Sequence, residues 1–118
     1  MAIKRNPADG LPLKAKLFRG FADPSRRAVL EALREGPKCV SDVVKLTGLS
    51  QPNASAHLAC LEDCGLVRKE RHGKFVYYQV AHEHVTVVLE LAGKILAQVG
   101  DFVYRCTRYG GHTGEQRW

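Results

Sequence analysis

Nothing in this 118-residue sequence offers a membrane span, because no apolar run approaches the roughly 20 residues that a bilayer requires. Residues 1–20 are basic in places but lead into no continuous apolar stretch, so no secretory signal is expected and the chain is placed in the cytoplasm. Thiols stay reduced there, and the four cysteines are expected to be free, metal-bound or redox-active rather than locked in structural disulfides. Internal repeats and low-complexity tracts are missing as well. No glycine motif is arranged to cradle phosphate, and no nucleophile, base and orienting group form a set, so the sequence points away from an enzyme.

What is present suits one small domain with a limited core. The apolar share of 45% and charged share of 25% are those of an ordinary globular fold. A net charge of +6 and a pI near 9.4 favour an anionic partner, nucleic acid ahead of a membrane surface.

Residues 1–12 are polar, contain Pro7 and Gly10, and read as a flexible arm. Leu13, Leu17, Phe18 and Phe21 then recur at helical spacing and mark a first helix. Asp23-Pro24 restarts the chain, Asp as a cap and Pro in the first helical turn. Ala28, Val29, Leu30, Ala32 and Leu33 fill a second helix, ended by Gly36-Pro37. Val40 to Leu46 reads as a short third helix with Val40, Val43, Val44 and Leu46 inward, and Gly48 breaks it. Ser50 caps a fourth helix, which tolerates Pro52 in its first turn and runs through Leu58 and Leu61 to Cys64, where Gly65 closes it.

The pattern then changes period. Residues 66–70 and 74–80 are rich in β-formers, and His72-Gly73 supplies the turn of a hairpin. Residues 83–103 return to helix, with Val85, Val88, Leu89, Ala92, Ile95, Leu96, Val99 and Val103 mostly on one stripe. Residues 104–118 read as a loose tail. The expected fold is mainly α with a β-hairpin wing: a winged helix-turn-helix over residues 13–103, in the order ααααββα. The first and last helices are too apolar for so small a domain to cover, which implies a homodimer that packs them together. The alternative is that both complete a monomeric core.

The fourth helix opens with residues suited to a major groove. Gln51 and Asn53 can pair with adenine edges, and Ser50 and Ser55 can bond a phosphate or a base. His57 stands on the same groove-reading helix. Arg68, Lys69, Arg71 and Lys74 surround the hairpin tip, and Lys4 and Arg5 stand in the arm; these cations would attract phosphates in a salt-dependent way. Each residue singly could be a solvated surface. Together, a helix-turn before and a basic hairpin after make double-stranded DNA the expected partner, with no role for a membrane.

The run from Ala22-Asp23-Pro24-Ser25-Arg26-Arg27 through Leu49-Ser50-Gln51-Pro52-Asn53-Ala54-Ser55-Ala56-His57-Leu58 to Leu61-Glu62-Asp63-Cys64-Gly65-Leu66-Val67 resembles the ArsR/SmtB metal-sensing repressors. The continuation Arg71-His72-Gly73-Lys74-Phe75-Val76-Tyr77-Tyr78 looks like that family's wing. The resemblance covers roughly residues 13–103 and implies a dimeric winged-helix repressor, released from its operator when an inducer binds. Pro52 and Ala56 are not the commonest family choices.

Cys60 and Cys64 are four apart on one helix, a spacing that stacks both sulfurs on one face. Thiolates take soft or borderline ions such as Cd2+, Pb2+, Hg2+ and Zn2+. Two ligands rarely suffice, and Cys106 in the tail is the natural third. Ordinary burial of small apolar thiols produces the same spacing. The resemblance to the family's cadmium- and lead-sensing type, which also places two cysteines on the recognition helix and one near the C-terminus, implies a three-sulfur site that could bridge protomers.

Other sites of the family fit less well. Its arsenic type looks for Cys-Val-Cys on the third helix, where this chain has Cys39-Val40-Ser41; its zinc type wants later ligands where this chain has Ile95 and Gln98, although His82 and His84 stand near the start. Cys39 reads as structural rather than as a ligand, and His112 and Glu115 in the tail could join a metal shell, although exposed tail residues usually bind nothing. On this reading metal fastens Cys106 to Cys60 and Cys64 behind the DNA-reading turn and weakens operator binding. The rival readings are a thiol redox switch through a Cys60–Cys64 or Cys60–Cys106 disulfide, and a structural zinc that senses nothing.

Overall fold

A computed structural model describes residues 10–107. The expected arm residues Lys4 and Arg5, and most of the tail with His112 and Glu115, lie outside them. In order the elements are α1 (Leu11–Ala22), α2 (Pro24–Ala32), α3 (Val40–Thr47), α4 (Gln51–Asp63), β1 (Val67–His72), β2 (Phe75–Val80) and α5 (Glu83–Arg105). The chain divides into two compact units, one ending at Ala81 and the other opening at His82.

The first unit carries α1 to β2. α1 starts at Leu11, two residues before the expected start at Leu13, because Pro12 fits the opening helical turn behind the N-cap Gly10. None of its residues is buried. α2 opens as the sequence implied: the Asp23 carboxylate accepts the Arg26 amide at 2.9 Å, and Pro24 follows in the first turn. Between α3 and α4, Gly48 takes φ +78° as the C-cap and its amide donates to the Val44 carbonyl at 2.9 Å. That left-handed residue turns the chain sharply enough for Ser50, two residues on, to start α4.

Val29, Leu30, Leu33, Val43, Ala54, Leu58, Leu61 and Val67 are at most 2% exposed and form the core, drawn from α2, the residue after it, α3, α4 and β1. Leu46, expected inward, is instead 61% exposed and lines a surface groove with Ala28, Glu31 and Ala32. α3 is only eight residues long, and Val43 takes its one fully buried position.

The wing pairs Val67 with Val80 through to His72 with Phe75, antiparallel. The turn is therefore Gly73-Lys74, one residue later than the sequence suggested, with Gly73 at φ +65°. A two-residue hairpin loop needs positive φ at its first central position, which glycine supplies and histidine resists. The hairpin is fastened to the helices by a bridge that the alternation pattern did not reveal. The Lys38 amide donates to the Tyr78 carbonyl at 2.9 Å, and the Tyr78 amide returns a bond to Lys38 at 2.8 Å.

The second unit is dominated by α5, which continues past residue 103 to Arg105 and so takes Tyr104 out of the expected tail. Its backbone departs from helical torsions at Val99, φ −123° and ψ 15°. Val85 and Leu89 are buried, whereas Val88, Leu91, Ile95, Val99 and Phe102 are 36–69% exposed. At roughly 100° per residue these five fall in one stripe about 80° wide. Exposed apolar stripes of this length commonly mark association surfaces.

Candidate functional site

α4 presents two chemically different ends. At its N-terminus the Ser50 Oγ accepts the Asn53 amide at 3.2 Å and so caps the helix. The remaining hydroxyl proton of Ser50 is free to donate to a phosphate oxygen. Gln51, Asn53 and Ser55 are exposed and His57 is half-buried, while Ala54 and Leu58 turn into the core. On the helix Gln51 and Ser55 lie on one flank of the buried Ala54–Leu58 face and Asn53 and His57 on the other, in the first two turns, where the opening amides lack helical partners.

The wing carries the charge. Arg71 lies near the end of β1 and Lys74 in the turn itself, both exposed, and the Lys74 ammonium lies 5.8 Å from the centre of the Phe75 ring. Arg68 sits elsewhere, four residues before the end of β1 and so about 13 Å from the turn. Its guanidinium reaches the Ala81 carbonyl at 3.5 Å, near the foot of the hairpin. Lys69 faces the helix, with its ammonium 3.8 Å from the Glu62 carboxylate. The His72 Nε2 lies 3.8 Å from the Glu70 carboxylate, and its ring meets Tyr77 edge-on at 5.7 Å. Of the expected wing cations, Arg71 and Lys74 stand where a phosphate backbone could reach them, and Arg68 supports the base.

At the other end of α4 stand the thiols. Cys60 is half-buried in the last regular turn, and Cys64, exposed, is the C-cap. Helical geometry sets them about 40° apart around the axis with about 6 Å of rise, so both sulfurs face one side. Cys64 also lines an open groove of about 590 Å³, walled by Leu13, Leu17 and Leu66 with Lys14 and Asp63 among its polar residues. Cys106 is the half-buried C-cap of α5, its amide shared between the Phe102 and Val103 carbonyls at 3.0 and 3.1 Å. Among the described residues, no three His, Cys, Asp or Glu side chains are grouped as a metal site.

Cys39 is the N-cap of α3. Its thiol donates to the Asp42 carboxylate at 3.3 Å and lies 3.2 Å from the Ser41 hydroxyl. His82 and His84, at the start of α5, are exposed.

Residues 23–69 match the model of the bacterial regulatory protein arsR family. Over 103 residues the chain is 39% identical to a probable mercury resistance operon repressor of Streptomyces lividans, covering 87% of this chain and 82% of that one. A CadC homologue of Staphylococcus aureus, a cadmium resistance transcriptional regulatory protein, is 37% identical over 90 residues, 75% of this chain and 71% of the relative. The homodimeric winged helix-turn-helix domain Mb0332 of Mycobacterium bovis superposes with a TM-score of 0.69 at 28% identity, covering 80% of this chain and 88% of that structure. These proteins are transcriptional regulators and not enzymes. With a recognition helix, a basic wing and relatives aligned across most of its length, the chain belongs to the arsR family of winged helix-turn-helix regulatory proteins.

Proposed function

We propose that this protein is a metal-responsive repressor that binds operator DNA as a homodimer and lets go when a soft divalent ion binds Cys60, Cys64 and Cys106. The observation that carries the reading is the pair of thiols on one side of the same helix that presents Gln51 and Asn53. Two thiolates form a soft donor set, suited to Cd2+, Pb2+ or Hg2+ and acceptable to Zn2+. Cys64 opens onto a groove, so an ion and a third ligand can approach it. That third ligand is Cys106, from the same protomer or its partner. Relatives concerned with mercury and cadmium resistance support the choice of ion.

The dimer brings the apolar stripes of α1 and α5 out of water and sets two recognition helices about 34 Å apart, in successive major grooves. Ser50, Gln51, Asn53, Ser55 and His57 read the groove, and Arg71 and Lys74 hold the backbone, while Arg68, expected with them, braces the foot of the hairpin. The DNA-binding domain then runs from α1 to α5, with its bounds at Leu11 and Arg105 instead of the expected 13 and 103, and the segment that begins at Cys106 brings the third sulfur. A chain of this kind works in the cytoplasm; no helix among the described residues is long and apolar enough to cross a membrane.

The test is single serine replacement at Cys60, Cys64 and Cys106, with operator binding followed as cadmium or lead is added. Each variant should keep apo DNA binding and lose the metal response, which in the wild type is expected at about 5- to 150-fold. Retention of the full response in all three ends the proposal. Thiol oxidation, the rival use of the same residues, would give release by oxidant without the near-ultraviolet thiolate-to-metal band.

A further inference from the structure

The two sulfurs of α4 lie in the turn that anchors the wing, and the bonding there is continuous. Cys64 is the C-cap, and its amide donates to the Cys60 carbonyl at 3.0 Å. Gly65, at φ +83°, donates to the Glu62 carbonyl at 3.0 Å, and Leu66 donates to the Leu61 carbonyl at 3.0 Å. This double closure is a Schellman motif, which ties residues 61–66 into one unit. The Leu66 carbonyl in turn accepts the Ala81 amide at 2.9 Å, across the open end of the hairpin. Leu61 and Val67, on either side of the turn, are at most 2% exposed. A lateral tie is added by Lys69 and Glu62.

The DNA-reading end of the helix is held differently. It lies about 20 Å from Cys64 at 1.5 Å per residue, closed by its own Ser50 cap and seated in the core by Ala54 and Leu58. Drawing two sulfurs onto one ion therefore acts on the nearer and less buried structure. We infer that ligation at Cys60 and Cys64 is transmitted through the Gly65 turn to the wing, and that the metal-bound protein loses DNA chiefly because Arg71 and Lys74 leave the phosphate backbone. The inference rests on the proposed metal site and adds which DNA contact the site controls.

The experiment uses the full chain, cadmium as the probe and its operator DNA. Three quantities are measured: the thiolate-to-metal absorption band, amide hydrogen exchange over residues 61–81, and operator affinity against salt. The expected result is faster or slower exchange in the wing on cadmium addition, with residues 51–57 unchanged. The dependence of log affinity on log salt should become shallower by about 3.6 when four wing contacts of a dimer are lost, about 0.9 for each. In the double variant Arg71→Ala with Lys74→Ala, the absorption band should persist while cadmium changes affinity by less than about twofold, against the 5- to 150-fold typical of such coupling. A double variant that still shows the wild-type cadmium effect, or exchange that changes at 51–57 and not in the wing, overturns the inference and leaves the metal site standing. Absence of the band in the wild-type protein overturns both.

Discussion

Replacing Gly48 by alanine isolates the backbone cost of the turn between α3 and α4. The residue sits at φ +78°, and a Cβ built on it meets nothing within 4 Å. Steric collision with neighbours therefore contributes nothing, and what remains is the intrinsic penalty of a left-handed L-residue, about 1–2 kcal/mol. For a chain of this size that corresponds to roughly 4–10 °C in Tm, measured at fixed protomer concentration because dimerisation is linked to folding. Asparagine tolerates this conformation better, so Gly48→Asn should lose less than Gly48→Ala. Operator affinity should fall in the same order, because the strained turn sets where α4 begins. Chemical denaturation of the three proteins, followed by titration with operator DNA, makes the comparison. Alanine as stable as glycine, or asparagine worse than alanine, would refute the argument that left-handed torsion is what this position requires.

Other substitutions test different links. Leu58→Ala removes a fully buried side chain from the inner face of α4 and should cost about 2–5 kcal/mol of stability by denaturant titration. Asn53→Ala, at an exposed position, should leave stability near wild type and relax the preference for one operator base by about 1–3 kcal/mol, seen in binding to a panel of single-base operator variants. Ile95→Lys places a charge in the exposed apolar stripe of α5, where residue 95 is 60% exposed. Sedimentation should then show monomers, with operator affinity down by about 100-fold or more as the two half-sites are no longer engaged together.

Some of this molecule was determined by local chemistry and could be read from residues in order. Asp23-Pro24 and Ser50 start helices because a side-chain oxygen can satisfy a free amide wherever it precedes a helical run. Gly48, Gly65 and Gly73 end elements because each takes positive φ, which side chains resist. Four helices, a hairpin and a last helix follow from those signals and from the periods of the apolar residues between them. The i,i+4 placement of Cys60 and Cys64 on one side of a helix is equally local. Register was less accessible: His72-Gly73 and Gly73-Lys74 are both plausible turns by composition, and cross-strand pairing selects the second.

Tertiary structure alone decided how these pieces work on one another. Leu46 and Leu58 are the same residue type at helical spacing, yet one is 61% exposed and the other fully buried, since burial depends on which helix lies opposite. The Lys38–Tyr78 bridge joins backbone amides 40 residues apart in the chain, and backbone groups carry no sequence signature. The same holds for the bonds from Leu61 to Leu66 and on to Ala81, which make the thiol-bearing turn and the foot of the wing one body. Pattern reading finds the ligands because side-chain types are written in the sequence; what those ligands can move is set by hydrogen bonds that every residue could have made.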